Sequence, residues 1–158
     1  MRRLVITLIL AAVTAGCTAQ ASRPAATAAT PTAPPDPHTT AALLRIATAF
    51  NNNYDTGRYG AAYDRWDARS QAIITRADYI KRHTECPTGP QTARVESATP
   101  GPGGAWLVYY DIGGAQLRDY WFYQHSRWLF DLILSNPSSV TLYKITPQQY
   151  IAAQGCAH

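Results

Sequence analysis

Residues 105–135 read AWLVYYDIGGAQLRDYWFYQHSRWLFDLILS, and this stretch decides the fold of the chain. Large apolar side chains alternate with other residues in three runs, and Gly113-Gly114 and residues 124–127 separate the runs. Alternation with a period of two predicts β-strands, and breaks this short predict hairpins. The stretch therefore predicts an antiparallel meander with aromatic rings on both faces, and we expect its third strand to continue through Leu132 and Leu134.

The segments on either side of this meander carry helix signals. Apolar residues at helical spacing predict three helices before the sheet and one after it, with a strand at each edge of the meander. We expect helices at about 40–52, 58–66, 75–85 and from Pro147, a connector at 68–74, and edge strands at 91–99 and 140–145. Capping residues at Thr75 and at Thr146, the latter with Gln149 three residues on, predict the starts of the last two helices. The fold class is thus α+β, with N-terminal helices packed on a curved antiparallel sheet and a C-terminal helix.

The composition fits one folded domain with extensions. The chain has 158 residues, 46% of them hydrophobic and 15% charged. Its formal charge is +4, but Arg2 and Arg3 supply half of that excess. The remaining twelve basic residues are scattered among ten acidic ones, so we expect no nucleic acid partner.

The N-terminus has the features of an export signal. Arg2-Arg3 precedes a short apolar run, LVITLILAAV, which is too short to span a bilayer. The following residues Thr14-Ala15-Gly16-Cys17 resemble the lipobox of bacterial lipoproteins, although that family usually has Leu where Thr14 stands. The resemblance implies a signal peptide at 1–16, cleavage before Cys17 and lipidation of Cys17. The alternative is ordinary secretion with cleavage after Ala21.

The predicted anchor is followed by a tether, residues 17–37, in which Ala, Thr and Pro dominate. Such a segment cannot bury a core and is expected to be disordered. The globular domain then occupies 38–158. Besides Cys17 the chain has two cysteines, Cys86 and Cys156, and two cysteines in an exported protein are expected to form a disulfide. The chain carries no spacing typical of a metal site or nucleotide-binding loop, so we expect no metal and no cofactor.

Two further runs resemble a known superfamily. YDTGRYGAAYDRWDARSQAIITRADYIKRH (54–83) resembles the front half of the nuclear transport factor two-like, or cystatin-like, superfamily, and WLVYYDIGGAQLRDYWFYQHSRWLFDL (106–132) resembles its strands. Residues 40–156 are similar to small lipoproteins of high-GC Gram-positive bacteria that have this fold and no assigned function. The resemblance implies a cone-shaped domain. The superfamily includes ketosteroid isomerases, cyclases and dehydratases, as well as non-catalytic binding and dimerisation modules.

The enzymes of that superfamily work inside the cone with an Asp, His or Tyr whose pKa the apolar cavity shifts. Asp119 and Asp131 lie within aromatic strands, and either could point inward as a general base. An aspartate on a strand more often faces solvent or pairs with an arginine, here Arg118 or Arg127, and we prefer that interpretation. The other residues predicted to line a pocket, or else to form core, are aromatic: Tyr59, Tyr63, Trp66, Tyr110, Trp121 and Tyr123.

These features lead to one functional hypothesis and two alternatives. The first is a lipoprotein on the outer face of the cell membrane whose domain binds a small apolar ligand or an envelope partner without catalysis. The second is an enzyme of the isomerase, cyclase or dehydratase type with a buried carboxylate. The third is a scaffolding domain that dimerises through the sheet. A polar dyad inside a cavity favours the enzyme, and an apolar cavity favours binding.

The membrane anchor can be tested at a single residue. We expect Cys17→Ser to move the protein from the membrane fraction to the soluble fraction, because two or more acyl chains at about 0.8 kcal/mol per buried CH₂ would be lost. Fractionation and immunoblotting measure the change, and Thr18→Ser, at the neighbouring residue, is the control because it leaves Cys17 in place. Unchanged membrane partitioning of the Cys17 variant would contradict the anchor.

Overall fold

The computed structural model describes residues 34–87, 89, 91–154 and 156. The predicted signal peptide, Cys17 and the tether up to residue 33 lie outside the described residues. The described chain is an α+β domain, as expected. Its elements are α1 (Thr40–Asp55), α2 (Tyr59–Tyr63), α3 (Ala68–Gln71), α4 (Arg76–Glu85), β1 (Ala93–Pro100), β2 (Trp106–Ile112), β3 (Ala115–Gln124), β4 (Arg127–Asp131), α5 (Leu132–Ser135), α6 (Pro137–Lys144) and α7 (Pro147–Ala153).

The four strands form an antiparallel meander in the order β1-β2-β3-β4, which confirms the hairpins predicted from the alternation. Val108 pairs with Asp119 and Trp121 pairs with Phe130, so these four side chains share one face of the sheet. This inner face packs against α1. Phe50 of α1 lies 5.4 Å from the ring of Trp121 and 4.8 Å from that of Phe130, measured between centroids.

Helix α2 is shorter than predicted because the chain leaves it to join the sheet. The amide of Phe130 donates to the Arg65 carbonyl at 2.8 Å, and the amide of Asp67 donates to the Phe130 carbonyl at 2.9 Å. Through this parallel bridge, β4 pairs with Trp66 in addition to its antiparallel partner β3. The predicted connector that follows contains α3, where the Asp67 carboxylate accepts from the Ser70 amide at 2.8 Å as an N-cap.

The segment after β4 corrects two sequence predictions. Alternation predicted that β4 would run through Leu132 and Leu134, but the Asp131 side chain accepts from the Leu134 amide at 2.9 Å and starts helix α5 there. The predicted edge strand at 140–145 is wrong, because residues 137–144 form α6, which begins with Asn136 as N-cap and Pro137 in its first turn. Helix α7 has the predicted capping box between Thr146 and Gln149.

A disulfide and a buried arginine help to hold the C-terminal helices to α4. Cys86 and Cys156, which are 70 residues apart in the sequence, form a disulfide. The guanidinium of Arg82, which is 2% exposed, donates to the carbonyls of Leu142, Tyr143 and Ile145 at the end of α6. The last carbonyls of a helix lack intrahelical partners and carry partial negative charge, so a buried cation is accommodated at this position.

Residues 36–38, of which 36 and 37 were predicted as tether, pack on the β3–β4 hairpin. The Asp36 carboxylate accepts from the Trp128 amide at 3.0 Å and from Arg65 at 2.6 Å. The Asp36 carbonyl accepts from the Tyr123 hydroxyl at 2.7 Å, and the ring of His38 stacks on Tyr123 at 4.0 Å. The globular domain therefore begins before residue 38.

We expect Asp36→Ala to lower the free energy of unfolding by about 1–3 kcal/mol, because it leaves the Trp128 amide and Arg65 without their acceptor in a half-buried position. Asp64→Ala is the matched control. Asp64 also pairs with an arginine, but its side chain is 52% exposed, and exposed pairs contribute about 0–1 kcal/mol. Urea unfolding of both variants measures the difference, and equal losses would contradict a specific anchoring role for Asp36.

Candidate functional site

A cavity of about 440 Å³ lies between α1, the inner face of the sheet and the helices that follow β4. Most of its large side chains are aromatic, and they come from five elements and from Trp66 between α2 and α3. They are Phe50 and Tyr54 of α1, Trp66, Tyr79 of α4, Tyr110 of β2, Phe130 of β4 and Tyr143 of α6. Its charged lining residues are Asp55, Arg118 and Asp119.

Asp119 is the buried carboxylate of this wall. Alternation along β3 turns it to the inner face beside Trp121, and its residue is 6% exposed. The Tyr110 hydroxyl donates to its Oδ1 at 3.2 Å. Burial raises the pKa of Asp119 to about 7, since a carboxylate loses hydration there, and the hydrogen bond from Tyr110 lowers it only partly. Burial and the nearby Asp119 raise the pKa of Tyr110 well above its ordinary range.

We preferred a solvent-facing or arginine-paired Asp119, and the structure shows neither. No basic side chain of the described residues forms an ion pair with it. Asp131 is fully buried as well, but it lies outside the cavity wall. It pairs with an arginine, as expected of a structural aspartate, but the partner is Arg69 at 2.5 Å rather than Arg118 or Arg127.

A second polar group lies behind the aromatic wall. His83 of α4 is 2% exposed, and its Nδ1 lies 3.1 Å from the Tyr54 hydroxyl and its Nε2 3.0 Å from the Tyr143 hydroxyl. Burial, followed by the positive charge of Arg82, lowers the pKa of His83 to about 4, so the ring is neutral at neutral pH. A neutral imidazole donates from one nitrogen and accepts at the other, so one tyrosine donates to it and the other accepts.

The structure brings three of the predicted pocket residues to the cavity wall, namely Trp66, Tyr110 and Asp119. Tyr59, Tyr63 and Trp121 lie in the hydrophobic core beside it. Tyr123 lies at the far end of β3, where it holds Asp36. Sequence reasoning missed Tyr54, Tyr79, Tyr143 and the position of His83. No local pattern could have placed them together, because their contacts join α1, α4 and α6 across up to 60 residues of chain.

Chemically, the wall offers the carboxylates of Asp55 and Asp119, the side-chain amides of Asn51, Gln91 and Asn136, several hydroxyl groups and a surface of rings. The part of the chain that the structure describes has no cluster of three or more His, Cys, Asp or Glu side chains suited to a metal ion. Within the same residues, no helix combines the length and hydropathy required to cross a bilayer. Comparisons with protein families, with curated proteins and with solved structures found no match.

The pKa shifts of Asp119 and His83 have opposite consequences for stability. Between its ordinary value of 3.8 and about 7, folded Asp119 retains a proton that the unfolded chain has released, so stability falls as the pH rises. Between 6.5 and about 4, the unfolded chain protonates His83 while the folded protein does not, so stability rises with pH. The two effects oppose each other between about pH 4 and pH 6.5.

We therefore expect Asp119→Asn to reveal the pH dependence of stability that His83 contributes. Its free energy of unfolding should rise with pH between pH 4 and 6.5, relative to the wild type, by up to about 1.4 kcal/mol per pH unit. Urea unfolding at several pH values measures the profile. Asp111→Asn, on the outer face of β2, should keep the wild-type profile. Parallel profiles for the wild type and Asp119→Asn would contradict a raised pKa at Asp119.

Proposed function

We propose that this protein is a lipid-anchored extracytoplasmic binding protein that holds a small, mainly apolar molecule in the cavity beneath α1. The observation that carries the proposal is the cavity itself, about 440 Å³ in volume and lined by seven aromatic residues. Binding sites for small molecules typically have volumes of about 300–1,000 Å³, mostly apolar walls and a few polar groups that orient the ligand. Here Asp119, Tyr110, the tyrosines bonded to His83 and the amides of Asn51, Gln91 and Asn136 supply polar groups along the aromatic wall.

The fold supports the proposal in its architecture. Helix α1 covers the inner face of a four-stranded antiparallel sheet, and the cavity opens where that cover ends near Leu117 and Ile112. A cone-shaped domain of the cystatin-like type has this arrangement, and we carry that finer assignment as part of the proposal. The lipid anchor at Cys17, the export signal and the location on the outer face of the membrane complete it.

A second candidate is an enzyme that moves a proton to or from carbon. It is favoured by one observation, the buried carboxylate of Asp119 whose pKa is raised to about 7 and which a tyrosine hydroxyl orients. A general base works best when its pKa lies near the operating pH. In this mechanism ionised Asp119 would take a proton from a carbon next to a polarised group, and the protonated acid would return it to another position.

We expect native mass spectrometry of the gently purified mature protein to show a discrete added mass that denaturation removes and that is therefore distinct from the covalent lipid on Cys17. Ser139 lies on the cavity wall and Ser138 beside it does not, so Ser139→Phe should fill the cavity and remove the added mass, while Ser138→Phe should retain it. Thermal unfolding checks that both variants fold. A wild-type protein without a noncovalently bound mass, or a noncovalently bound mass that persists in Ser139→Phe, would contradict binding in this cavity.

The enzyme and the binding protein differ in one measurement on the same complex. After transfer to D₂O, a proton-transferring enzyme exchanges a carbon-bound hydrogen of its ligand for deuterium, and Asp119→Asn loses this exchange. A binding protein leaves the carbon-bound hydrogens of the ligand in place.

A further inference from the structure

Asp119 differs from the other buried aspartates in its partners. Asp67 and Asp131 both lie within ion-pair distance of Arg69, at 3.3 and 2.5 Å. Asp119 is also buried, but its hydrogen-bond partner among the described residues is the neutral hydroxyl of Tyr110. A buried carboxylate without a cation is costly, because the low-polarity surroundings penalise its charge. This fold uses arginine to pair its structural carboxylates and leaves the carboxylate of the cavity unpaired.

The remainder of the wall also suits a positive charge. Seven aromatic residues line the same cavity, and the faces of aromatic rings carry partial negative charge. A cation within about 6 Å of a ring centroid is attracted by about 0.5–2 kcal/mol, and quaternary ammonium groups are often held in cages of such rings. The charged lining residues are two carboxylates, Asp55 and Asp119, and one arginine, Arg118. Arg118 is exposed and forms no ion pair with Asp119, from which alternation along β3 turns its side chain away.

We infer that the cavity binds a small organic ammonium ion, with its nitrogen against Asp119 and its apolar groups among the aromatic rings. This inference rests on the proposed function and specifies the chemical class of the ligand. The ammonium pairs with Asp119 in the way that Arg69 pairs with Asp67 and Asp131. The rings replace the hydration that the ammonium loses, and Tyr110 keeps the carboxylate oriented toward the cavity.

A neutral ligand with a carbonyl group is the rival occupant, because a protonated Asp119 and the Tyr110 hydroxyl could both donate to a carbonyl oxygen. The two ligand classes require opposite protonation states of the same carboxyl group. An ammonium ion binds to the ionised form, so its affinity rises with pH, whereas a carbonyl acceptor binds to the protonated form, so its affinity falls.

Among the groups of the cavity wall, Asp119 is the one whose ionisation controls how ligand affinity depends on pH near pH 7. Burial raises the pKa values of Tyr79, Tyr110 and Tyr143, so these hydroxyls stay neutral, and His83 stays neutral above its lowered pKa of about 4. The remaining titratable or charged groups of the wall are Tyr54 and Asp55 of α1 and Arg118 of β3.

The test uses two probes of nearly the same shape, benzyltrimethylammonium and its neutral carbon analogue neopentylbenzene. The charge of the first probe does not titrate, so any pH dependence comes from the protein. Intrinsic tryptophan fluorescence, to which Trp66 of the cavity wall contributes, reports binding to the purified protein. At pH 8 we expect the ammonium probe to bind about tenfold more tightly or better than the neutral probe.

Variants and pH then locate the charge. Asp119→Asn keeps the shape of the side chain and should abolish the preference for the ammonium probe, while Asp111→Asn should keep it. In the wild type the affinity for the ammonium probe should rise about tenfold between pH 6 and pH 8 as Asp119 ionises, and this rise should vanish in Asp119→Asn. The neutral probe serves as a folding control, since it should bind to Asp119→Asn as it binds to the wild type.

Three outcomes would overturn the inference. They are equal or tighter binding of the neutral probe, retention of the preference in Asp119→Asn, and failure of the ammonium probe to bind. If the neutral probe binds and the ammonium probe does not, the cavity binds neutral molecules and the proposed function survives without the ammonium class. If neither probe binds, the mass measurement on Ser139→Phe and Ser138→Phe still decides the proposed function.

Discussion

The burial of the aromatic inner face of the sheet is the constraint on which the rest of the structure depends. Trp121 and Trp128 have no exposed surface, and Phe130 is 5% exposed. Each such ring removes about 150–250 Å² from water, which corresponds to about 4–6 kcal/mol at 25 cal/mol per Å². A two-layer domain meets this requirement by placing α1 over the face, and Phe50 makes the central ring contacts. Asp36 and Pro37 cover the same face at the β3–β4 hairpin, where the indole of Trp128 donates to the Pro37 carbonyl.

At the opposite end of the sheet the inner face is not fully covered, and the cavity lies there. Inner-face positions of β3 hold Trp121 and Tyr123 toward the hairpin, but Asp119 and Leu117 toward the cavity. Leu117 is 45% exposed, so the helices do not close over this part of the strand. An apolar residue at position 119 would cost less than a carboxylate. Proteins tolerate such local conflicts mainly where function requires them, which is why we assign the site to this position.

The sequence predicted the elements whose signals are local. Alternation placed β2 and β3, and the Thr75 and Thr146 caps placed the starts of α4 and α7. Prediction failed after β4 because Leu132 and Leu134 continue the alternation of the strand, while the Asp131 side chain bonds to the Leu134 amide and turns the chain into a helix. The predicted edge strand at 140–145 failed as well, because the Asn136 cap and Pro137 start helix α6 there.

The site was less predictable than the fold, because its chemistry depends on long-range packing. Alternation showed that Asp119 shares a face with Trp121, but it could not show whether an arginine would reach that carboxylate, as Arg69 reaches Asp131 from 62 residues away. The chain from Tyr54 through His83 to Tyr143 joins three helices that have no common sequence pattern.

The contacts of Asp36 and the cavity lie at opposite ends of β3. Tyr123 holds Asp36 at one end of β3, and Asp119 lines the cavity four residues earlier, about 13 Å along the strand at 3.3 Å per residue. In the proposed lipoprotein, the chain that leads to Cys17 leaves the domain at Asp36. At the Trp128 end of the sheet, the Asp36 carboxylate bonds to Arg65 and to the Trp128 amide. None of these partners lines the cavity, so the residues that hold the start of the domain and those around Asp119 form separate sets.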